Sequence, residues 1–221
     1  MALIRPTRRL ENQLSREHGY GVILGVDEVG VAPSCGPVVA AAVAMPPERR
    51  FITGVRDSKT LTAQQRERLA RAILRQATRV GIGAASVREI DRLNIYYATV
   101  LAMKRAVARA GDHDFVIVDG RRIRGFEETC GPYRAVIDGD ARCYAVACAS
   151  IVAKVTRDRL MRRLAARYPG YGWEHNAGYA TLDHRHGLAE HGITPHHRRS
   201  FITVRRVEFG EQLELLAPAT A

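Results

Sequence analysis

The chain has 221 residues, in which 34 lysines and arginines outnumber 23 aspartates and glutamates and give a formal net charge of +11 at pH 7. No apolar run approaches the roughly 18 residues of a membrane span, and the opening residues, MALIRPTRRL, have no apolar stretch of the kind a signal peptide needs. The sequence therefore argues against a membrane protein. We expect a cytoplasmic protein that binds a polyanion, because basic side chains that neutralise phosphates supply much of the affinity for nucleic acids.

Short apolar runs predict two neighbouring antiparallel strands near the start of the chain, over residues 22–27 and 37–45, with a turn rich in glycine and proline between them. Thr62 and Gln65 form a capping-box pattern that opens a polar helix ending near residue 76. Residues 78–86 predict a third strand. The first part of the chain is therefore expected to contribute three strands and one helix.

The second part of the chain alternates helices and strands. Helical apolar spacing continues to Ala110 and stops at Gly111, and a long helix is predicted to end before Tyr168, Pro169 and Gly170. This alternation indicates a mixed α/β sheet with a helical C-terminal appendage. The predicted elements are a helix over 94–110, strands over 115–118 and 133–137, a helix over 143–167 and a helix over 182–190.

The four cysteines show no CxxC spacing and lie in apolar or glycine-rich surroundings, which argues against a zinc knuckle and against a disulfide framework. We expect reduced thiols, as in a cytoplasmic protein. They are Cys35, Cys130, Cys143 and Cys148.

Carboxylates follow three of the predicted strands. Asp27 and Glu28 end the first strand, Asp119 ends the strand over 115–118, and Asp140 follows the strand over 133–137. An acidic pair at the end of a buried strand is unfavourable unless something uses the charge, and hard divalent cations prefer oxygen ligands. Asp119 before Gly120 is also a common turn pattern, and Asp140 is also a suitable helix cap.

Eight blocks of the sequence, in order between about residue 20 and residue 205, resemble the ribonuclease HII family. A single block would be weak support, whereas eight in the family's order make chance resemblance very improbable. The blocks are GVDEVGVAPSCGPVVAAAV, DSKTL, NIYYATVLAM, FVIVDG, DGDARCYAVACASIVAKVTRD, YPGYGW, GYAT and HHRRSF.

This resemblance implies an RNase H-like fold, in which a mixed five-stranded sheet is flanked by helices. It implies a catalytic core over 1–170 and a C-terminal helical extension and tail over 171–221. The implied activity is metal-dependent endonucleolytic cleavage of the RNA strand of RNA·DNA hybrids and of ribonucleotides embedded in duplex DNA, leaving 3′-hydroxyl and 5′-phosphate ends. We expect a monomer with no membrane association and no evident protein partner.

The resemblance also implies a site for two Mg²⁺ or Mn²⁺ ions. In that mechanism one ion activates a water for in-line attack and the other stabilises the departing 3′-oxygen. Asp138 competes with Asp140 for the last ligand position, and the match to the family favours Asp140. The implied ligands and catalytic residues are Asp27, Glu28, Asp119 and Asp140.

Further matched positions imply substrate contacts. Tyr179 of GYAT corresponds to a tyrosine that stacks on the sugar next to the junction, although an aromatic residue after glycine also suits a core anchor. Lys59 of DSKTL is expected to contact a phosphate, unless it pairs with Asp57 on the surface. Lys154 is expected to contact the nucleic-acid backbone, against the alternative of a solvated basic face.

Other basic residues are weaker candidates for the same duplex groove. Arg157 and Arg159 lie on the same predicted helix as Lys154, and the HHRRSF block contributes two histidines and two arginines near the end of the match. The sequence does not separate those that contact a phosphate from those that face solvent. The candidates in the second group are His196, His197, Arg198 and Arg199.

One block departs from the family. After the acidic pair the family typically has Gly-Arg-Gly, the loop that recognises the ribonucleotide at a junction, whereas this chain has Gly30, Val31 and Ala32. If position 32 requires positive φ, the alanine costs roughly 1 to 2 kcal/mol, and the missing arginine removes a hydrogen bond worth about 1.5 to 3 kcal/mol. We predict that cleavage of longer hybrids persists while preference for a single embedded ribonucleotide is weakened or altered.

Two other functions are consistent with parts of this pattern. The altered loop leaves open a hybrid-binding or duplex-binding protein with weak or lost junction cleavage, although the presence of all four carboxylates argues against it. A DNA-cleaving resolvase or transposase shares the carboxylate chemistry but lacks the GYAT and DSK blocks. A requirement for a 2′-hydroxyl separates such an enzyme from a ribonuclease.

Overall fold

The computed structural model of the protein describes residues 5–209 and contains the predicted mixed sheet of five strands. The strands are β1 (Ile23–Val29), β2 (Val38–Ala44), β3 (Arg79–Ala85), β4 (Phe115–Asp119) and β5 (Tyr133–Val136). Their order across the sheet is β3-β2-β1-β4-β5. β2 pairs antiparallel with β1 and β3, whereas β1, β4 and β5 run parallel to one another.

Helices and one short 3-10 turn, at Ser58–Thr60, connect the strands. In the described part of the chain the helices are α1 (Arg9–His18), α2 (Ala63–Gln76), α3 (Val87–Leu93), α4 (Ile95–Ala110), α5 (Glu127–Cys130), α6 (Gly139–Arg142), α7 (Tyr144–Arg167), α8 (Trp173–Asn176), α9 (Leu182–His191) and α10 (Ile202–Glu208).

The sequence of β2, VVAAAVA, is buried at every position, as expected for a central strand covered on both faces. On β1, a side chain at Gly25 would collide with the backbone of Ala145 and Val146 in α7. Glycine at this position therefore lets α7 pack directly against the strand that carries the acidic pair.

Contacts divide the chain into two compact units. The described residues of the first are 5–29, Val38–Ala85 and Thr99–Thr156, and this unit holds the whole sheet. Its core packs α2 and α7 on the sheet through large apolar side chains. Among these are Leu69, Ile73, Tyr144, Ile151 and Val152.

The second unit comprises Gly30–Pro37, Ser86–Ala98 and, in the described part, residues 157–209. Its core is built on Tyr171 and Trp173, whose rings stack 4.8 Å apart. The predicted division into a core of 1–170 and an extension of 171–221 stays a prediction, and residues 210–221 of that extension lie outside the described residues.

Most predicted elements are confirmed, including the capping box of Thr62 and Gln65 at the start of α2. The prediction that β1 ends at Asp27 is wrong, because pairing of Asp27 with Ala41 and of Glu28 with Ala40 extends β1 to Val29. Six helices of the described chain were not predicted: α1, α3, α5, α6, α8 and α10. α3 follows a second capping box, Ser86 with Glu89, so a local signal for it was present.

The four cysteines are free and buried, as predicted for reduced thiols. Within residues 5–209 there is no helix with both the length and the apolar character to cross a bilayer.

Candidate active site

Three parallel strands bring four carboxylates to one edge of the sheet in the first unit. Asp27 and Glu28 lie near the end of β1, Asp119 is the last residue of β4, and Asp140 lies in α6, which follows β5. Because β1, β4 and β5 are parallel neighbours, their carboxyl ends meet at the same edge. We call these four residues the carboxylate cluster. Asp27 and Asp140 are buried, with 6% and 7% of their surface exposed.

Main-chain amides orient two of the four carboxylates. The amide of Glu28 donates to Asp27 Oδ1 at 2.7 Å, and the amide of Gly139 donates to Asp119 Oδ1, also at 2.7 Å. A Cβ at Gly139 would lie 3.1 Å from the same Asp119 oxygen, so the glycine gives this bond room. The second oxygen of each carboxylate takes no part in these two bonds.

Burial and mutual repulsion raise the pKa values of the whole cluster. Burial raises the pKa of Asp27 well above its usual range, and the charges of Glu28 and Asp119 add to the effect. Burial and then the Asp119 charge raise the pKa of Glu28 to about 7. Burial is also the main cause of the raised pKa values of Asp119 and Asp140. Concentrated negative charge of this kind marks a site that gains from a cation.

Within residues 5–209, no three His, Cys, Asp or Glu side chains are close enough together to hold a metal ion as they stand. The carboxylate cluster nevertheless fits a hard divalent cation by its chemistry, because it offers only oxygen donors and carries excess negative charge. Side-chain rotations would have to bring the oxygens to a common point.

Lys59 is a basic neighbour of the carboxylate cluster. Its Nζ lies 3.9 Å from Asp140 Oδ2, while 83% of the side chain is exposed. Burial opposes its charged form, but the carboxylates, Asp140 foremost, raise the pKa of Lys59 overall. Asp57 instead caps the 3-10 turn through the backbone amide of Lys59, at 2.8 Å. The structure thus pairs the lysine side chain with Asp140 and leaves its Nζ accessible.

Asp138 and Asp140 occupy different environments. Asp138 is exposed and precedes α6 in a left-handed conformation, with φ of 55°. Asp140 is buried and paired with Lys59. The geometry therefore favours Asp140 as the fourth member of the cluster.

Two buried serines near Asp27 were not singled out from the sequence. The hydroxyls of Ser58 and Ser150 lie 2.9 Å apart, and a hydrogen bond from Ser150 lowers the pKa of Asp27, against the effect of burial. Ser58 belongs to the DSKTL block and Ser150 to the long block containing Asp140. Their block membership was the available signal, but serine in an apolar helix face does not by itself indicate a site.

The residues expected to recognise the ribonucleotide lie in the second unit. Gly30 is buried with φ of +90°, whereas Val31 and Ala32 are exposed. Positive φ among the described non-glycine residues occurs at Asn94, Asp138 and Ala177, and thus not at Ala32. The conditional strain predicted for Ala32 therefore does not arise.

Tyr179 lies in the same unit with 46% of its surface exposed. The residue before it, Gly178, accepts a hydrogen bond from the Ser34 amide at 3.0 Å, which ties the GYAT block to the Gly30–Pro37 loop. An exposed ring agrees with stacking better than with a core anchor. Lys154 is half-buried on α7 in the first unit.

Two arginines proposed for the duplex groove are inaccessible to a phosphate. Arg157 and Arg198 are both 0% exposed and donate to main-chain carbonyls, and His197 is also buried. The expectation of duplex contacts for these three residues is therefore wrong. The local sequence does not show whether a basic residue in a polar block faces solvent or binds main-chain carbonyls in the interior.

Comparisons with known proteins identify the family. Residues 24–204 match the ribonuclease HII family along most of the chain. The ribonuclease HII of Thermosynechococcus vestitus is 49% identical over 201 residues, covering 90% of this chain and 92% of that protein. The ribonuclease HII of Granulibacter bethesdensis is 52% identical over 202 residues, covering 89% and 90%.

The chain belongs to the ribonuclease HII family. It is accordingly an enzyme, a ribonuclease H that acts as an endonuclease on RNA in RNA·DNA hybrids. The family assignment made from eight sequence blocks is confirmed.

Solved structures agree with this membership. The ribonuclease H2 of Pyrococcus horikoshii OT3 has a TM-score of 0.75 at 26% identity, covering 86% of this chain and 98% of that one. Ribonuclease HII of Archaeoglobus fulgidus, solved in complex with PCNA, has a TM-score of 0.71 at 29% identity, covering 81% and 95%. Bst-RNase HIII in complex with Mn²⁺, at 18% identity and a TM-score of 0.66, shares the fold and covers 86% and 70%.

Proposed function

We propose that this ribonuclease HII cleaves with the carboxylate cluster, and that Asp27, Glu28, Asp119 and Asp140 hold divalent metal ions. The observation that carries the proposal is the convergence of these four carboxylates, from three parallel strands, at one edge of the sheet beside Lys59, where burial and mutual repulsion raise the pKa of each. A protein retains so much uncompensated charge in one place when function requires it.

Mg²⁺ or Mn²⁺, in a site for two ions, is the proposed cofactor. The Mn²⁺ complex of Bst-RNase HIII, a protein of the same fold, supports a divalent cation of this kind. When bound, such ions supply an activated water and compensate the charge that develops on the leaving 3′-oxygen.

The side chains of this chain orient the reacting groups. The Glu28 amide holds one oxygen of Asp27 and the Gly139 amide holds one oxygen of Asp119, so the main chain fixes the orientation of both carboxylates. Lys59 is the proposed contact for a phosphate oxygen of the substrate, which its exposure and its distance of 3.9 Å from Asp140 support. Lys154 is a further proposed backbone contact.

The proposed substrates are RNA·DNA hybrids and duplex DNA that contains ribonucleotides, with 3′-hydroxyl and 5′-phosphate products. Tyr179 supports the second substrate, because an exposed aromatic ring next to the Gly30–Pro37 loop is suited to stack on a sugar or base. The main chain of Gly30, Val31 and Ala32 is the proposed reader of the 2′-hydroxyl, as argued below.

We place the protein in the cytoplasm as a monomer, a proposal that the four free thiols support. The expectation that it needs no protein partner stays a prediction. The PCNA complex of the Archaeoglobus fulgidus relative makes a protein of that kind the first partner to test.

Denaturing-gel cleavage of three labelled duplexes tests the proposal: an RNA·DNA hybrid, a DNA duplex with one ribonucleotide, and an all-DNA duplex. Each is incubated with Mg²⁺ or Mn²⁺, with Asp119→Asn as the inactive control. We expect cleavage of the first two, on the 5′ side of the single ribonucleotide, and none of the third.

The other outcomes identify the alternatives. Binding of the hybrid without any cleavage would indicate a duplex-binding protein, and cleavage of the all-DNA duplex would indicate a different nuclease of the same fold. Near-normal rates for Asp119→Asn would exclude the carboxylate cluster as the catalytic centre.

A further inference from the structure

Two buried arginines in the second unit hold the loop that follows the acidic pair. Arg157 Nε, Nη1 and Nη2 donate to the carbonyls of Pro37, Ala177 and Cys35 at 3.0, 2.8 and 2.9 Å. Arg198 Nε, Nη1 and Nη2 donate to the carbonyls of Gly36, Val31 and Gly30 at 2.9, 2.8 and 2.5 Å. We call this arrangement the arginine cage.

The arginine cage contains no carboxylate. In the described residues neither guanidinium forms an ion pair, and both are 0% exposed. Burial and the neighbouring Arg157 charge lower the pKa of Arg198 to about 9. Burying two cations side by side is costly, and the compensation here comes from carbonyl dipoles and, for Arg198, from the Phe201 ring, whose centroid lies 5.0 Å from the guanidinium carbon. Such a cost is retained when the position of those carbonyls matters.

The cage fixes the direction of two amides that it does not touch. A trans peptide is planar, so its C=O and the following N–H point in opposite directions. Arg198 binds the carbonyls of Gly30 and Val31, and the amides of Val31 and Ala32 therefore point away from the guanidinium. Both residues are exposed, and neither amide bonds to another group of the described chain.

The loop geometry depends on Gly30 and not on the side chains at 31 and 32. A Cβ at Gly30 would collide with Arg157 Nε, and its φ of +90° suits glycine. The side chains of Val31 and Ala32 face solvent instead. The main-chain path can therefore survive the change from Arg-Gly to Val-Ala.

The GYAT segment belongs to the same network. Arg157 binds the carbonyl of Ala177, and the Ser34 amide binds that of Gly178. One residue further, the carbonyl of Tyr179 accepts a hydrogen bond from Nδ1 of the buried His184 at 2.8 Å. Buried donors thus hold the main chain on both sides of the exposed Tyr179 ring.

We infer that Arg157 and Arg198 are positioning residues for ribonucleotide recognition, which aim the Val31 and Ala32 amides at an oxygen of the ribonucleotide sugar. Two buried positive charges behind the aligned peptides strengthen these donors. The cage thereby supplies, from below the loop, positive potential that the loop no longer carries in a side chain. This inference rests on the proposed function and adds the residues that determine substrate preference.

Arg198→Lys is the first test, because it keeps the charge and loses the three-way fork. The matched control is Arg163→Lys, an exposed arginine on α7. We expect kcat/KM for the single-ribonucleotide duplex to fall at least tenfold further than kcat/KM for the all-RNA hybrid. The control should leave this ratio unchanged. Cleavage of the all-RNA hybrid by itself tests the proposed function, whereas the ratio of the two kcat/KM values tests the role of the arginine cage.

Two further readouts distinguish positioning from other roles. The salt dependence of duplex binding should keep its slope in Arg198→Lys, since a buried arginine releases no counterion, whereas losing a phosphate contact lowers the slope by about one. Hydrogen exchange of the Gly30–Pro37 peptide should accelerate at least tenfold in Arg198→Lys but not in Arg163→Lys. The exchange experiment needs no activity.

Equal losses on both substrates, a lower salt slope or unchanged exchange in the loop would each overturn the inference. If Arg198→Lys does not fold, as judged by thermal melting, Arg157→Lys and Ala32→Pro take its place. Ala32→Pro removes one of the two amides and leaves both arginines intact. An unchanged substrate ratio in Ala32→Pro would show that the inference is wrong.

Discussion

The carboxylate cluster and the arginine cage solve opposite electrostatic problems. The first brings four acids together beside Lys59, and their pKa values rise as a result. The second buries Arg157 and Arg198 together without a carboxylate partner in the described residues. In the carboxylate cluster the proposed functional groups are side chains positioned by the main chain. In the arginine cage they are main-chain amides positioned by side chains.

This difference explains why the two regions tolerate substitution differently. At the cluster each oxygen donor belongs to a named side chain, so an exchange removes the chemistry. At the loop the proposed donors are the Val31 and Ala32 amides, which every residue except proline provides. We therefore expect departure from the family pattern at 31 and 32 to be compatible with function, and departure at Asp27 or Gly30 to abolish it.

Asp27→Asn should give the largest effect. We expect a loss of cleavage of about a thousandfold or more, because charge compensation at the reacting phosphate is worth several kcal/mol. The same variant should be more stable by roughly 1 kcal/mol, or about 2 to 4 °C in Tm, because it removes a buried, repelled charge. Cleavage rates with Mg²⁺ check the first effect. Thermal melting of the metal-free protein, with a chelator present, checks the second.

Asp112→Asn is the matched control, an exposed aspartate outside the cluster. It should change neither the rate nor the melting temperature. If Asp27→Asn were inactive and also less stable, its carboxylate would contribute to folding, and the contrast with the arginine cage would fail.

Tyr179→Ala should come next. Stacking on an aromatic ring is worth about 1 to 3 kcal/mol, so kcat/KM for the single-ribonucleotide duplex should fall about tenfold or more. Tyr179→Phe should remain near the parent, because the ring is preserved. Tyr97→Ala removes another exposed tyrosine of the second unit and serves as the control. An equal loss for Phe and Ala at 179 would assign the role to the hydroxyl.

Val31→Arg adds a side-chain cation to the loop, on top of the two buried cations of the arginine cage. We expect about a tenfold gain in cleavage of the single-ribonucleotide duplex, the lower end of what a charge-assisted hydrogen bond provides. The salt slope of binding should rise by about one. Val31→Gln, of similar reach but uncharged, should not reproduce the gain. No gain for arginine would contradict the expectation that a side-chain cation at position 31 adds to the positive potential of the cage.

The smallest effect is a pH dependence of stability in metal-free protein. The pKa of Glu28 is raised from 4.5 to about 7, so the native carboxyl holds its proton more tightly than the unfolded one. Its contribution to stability is therefore present below about 4.5 and is lost as the pH rises to about 7. Thermal melting with a chelator should show a fall of a few degrees across this window.

Glu28→Gln should flatten that pH profile, since the amide does not titrate. Mg²⁺ or Mn²⁺ should restore the lost stability near pH 7, because a ligand that binds only the folded state stabilises it. If the dependence of Tm on pH were identical in the parent and in Glu28→Gln, the titration of Glu28 would not be the cause of the fall in stability.

Much of the fold was predictable because its elements carry local signals. The apolar runs of β1 and β2, the capping box at Thr62 and the stop at Gly111 all depend on neighbours in sequence. The end of β1 was misplaced because the register with β2, which extends the strand past Asp27, is a long-range property. Helix α1 was missed for want of a recognised cap: its N-cap residue, Arg8, makes no side-chain cap bond.

The amino-acid sequence by itself determined the family, through eight blocks in the family's order, and it nominated the four acids, because a carboxylate at a strand end is recognisable from residue type and spacing. Only the tertiary structure decided that Lys59 faces Asp140 and that Arg157 and Arg198 lie beneath the loop. It also agrees with the preference for Asp140 over Asp138 that the match to the family had already given. Residue type alone does not distinguish an arginine on a solvated helix face from one buried among main-chain carbonyls. Its role follows from which carbonyls surround it, and most of those belong to a segment more than a hundred residues away in sequence.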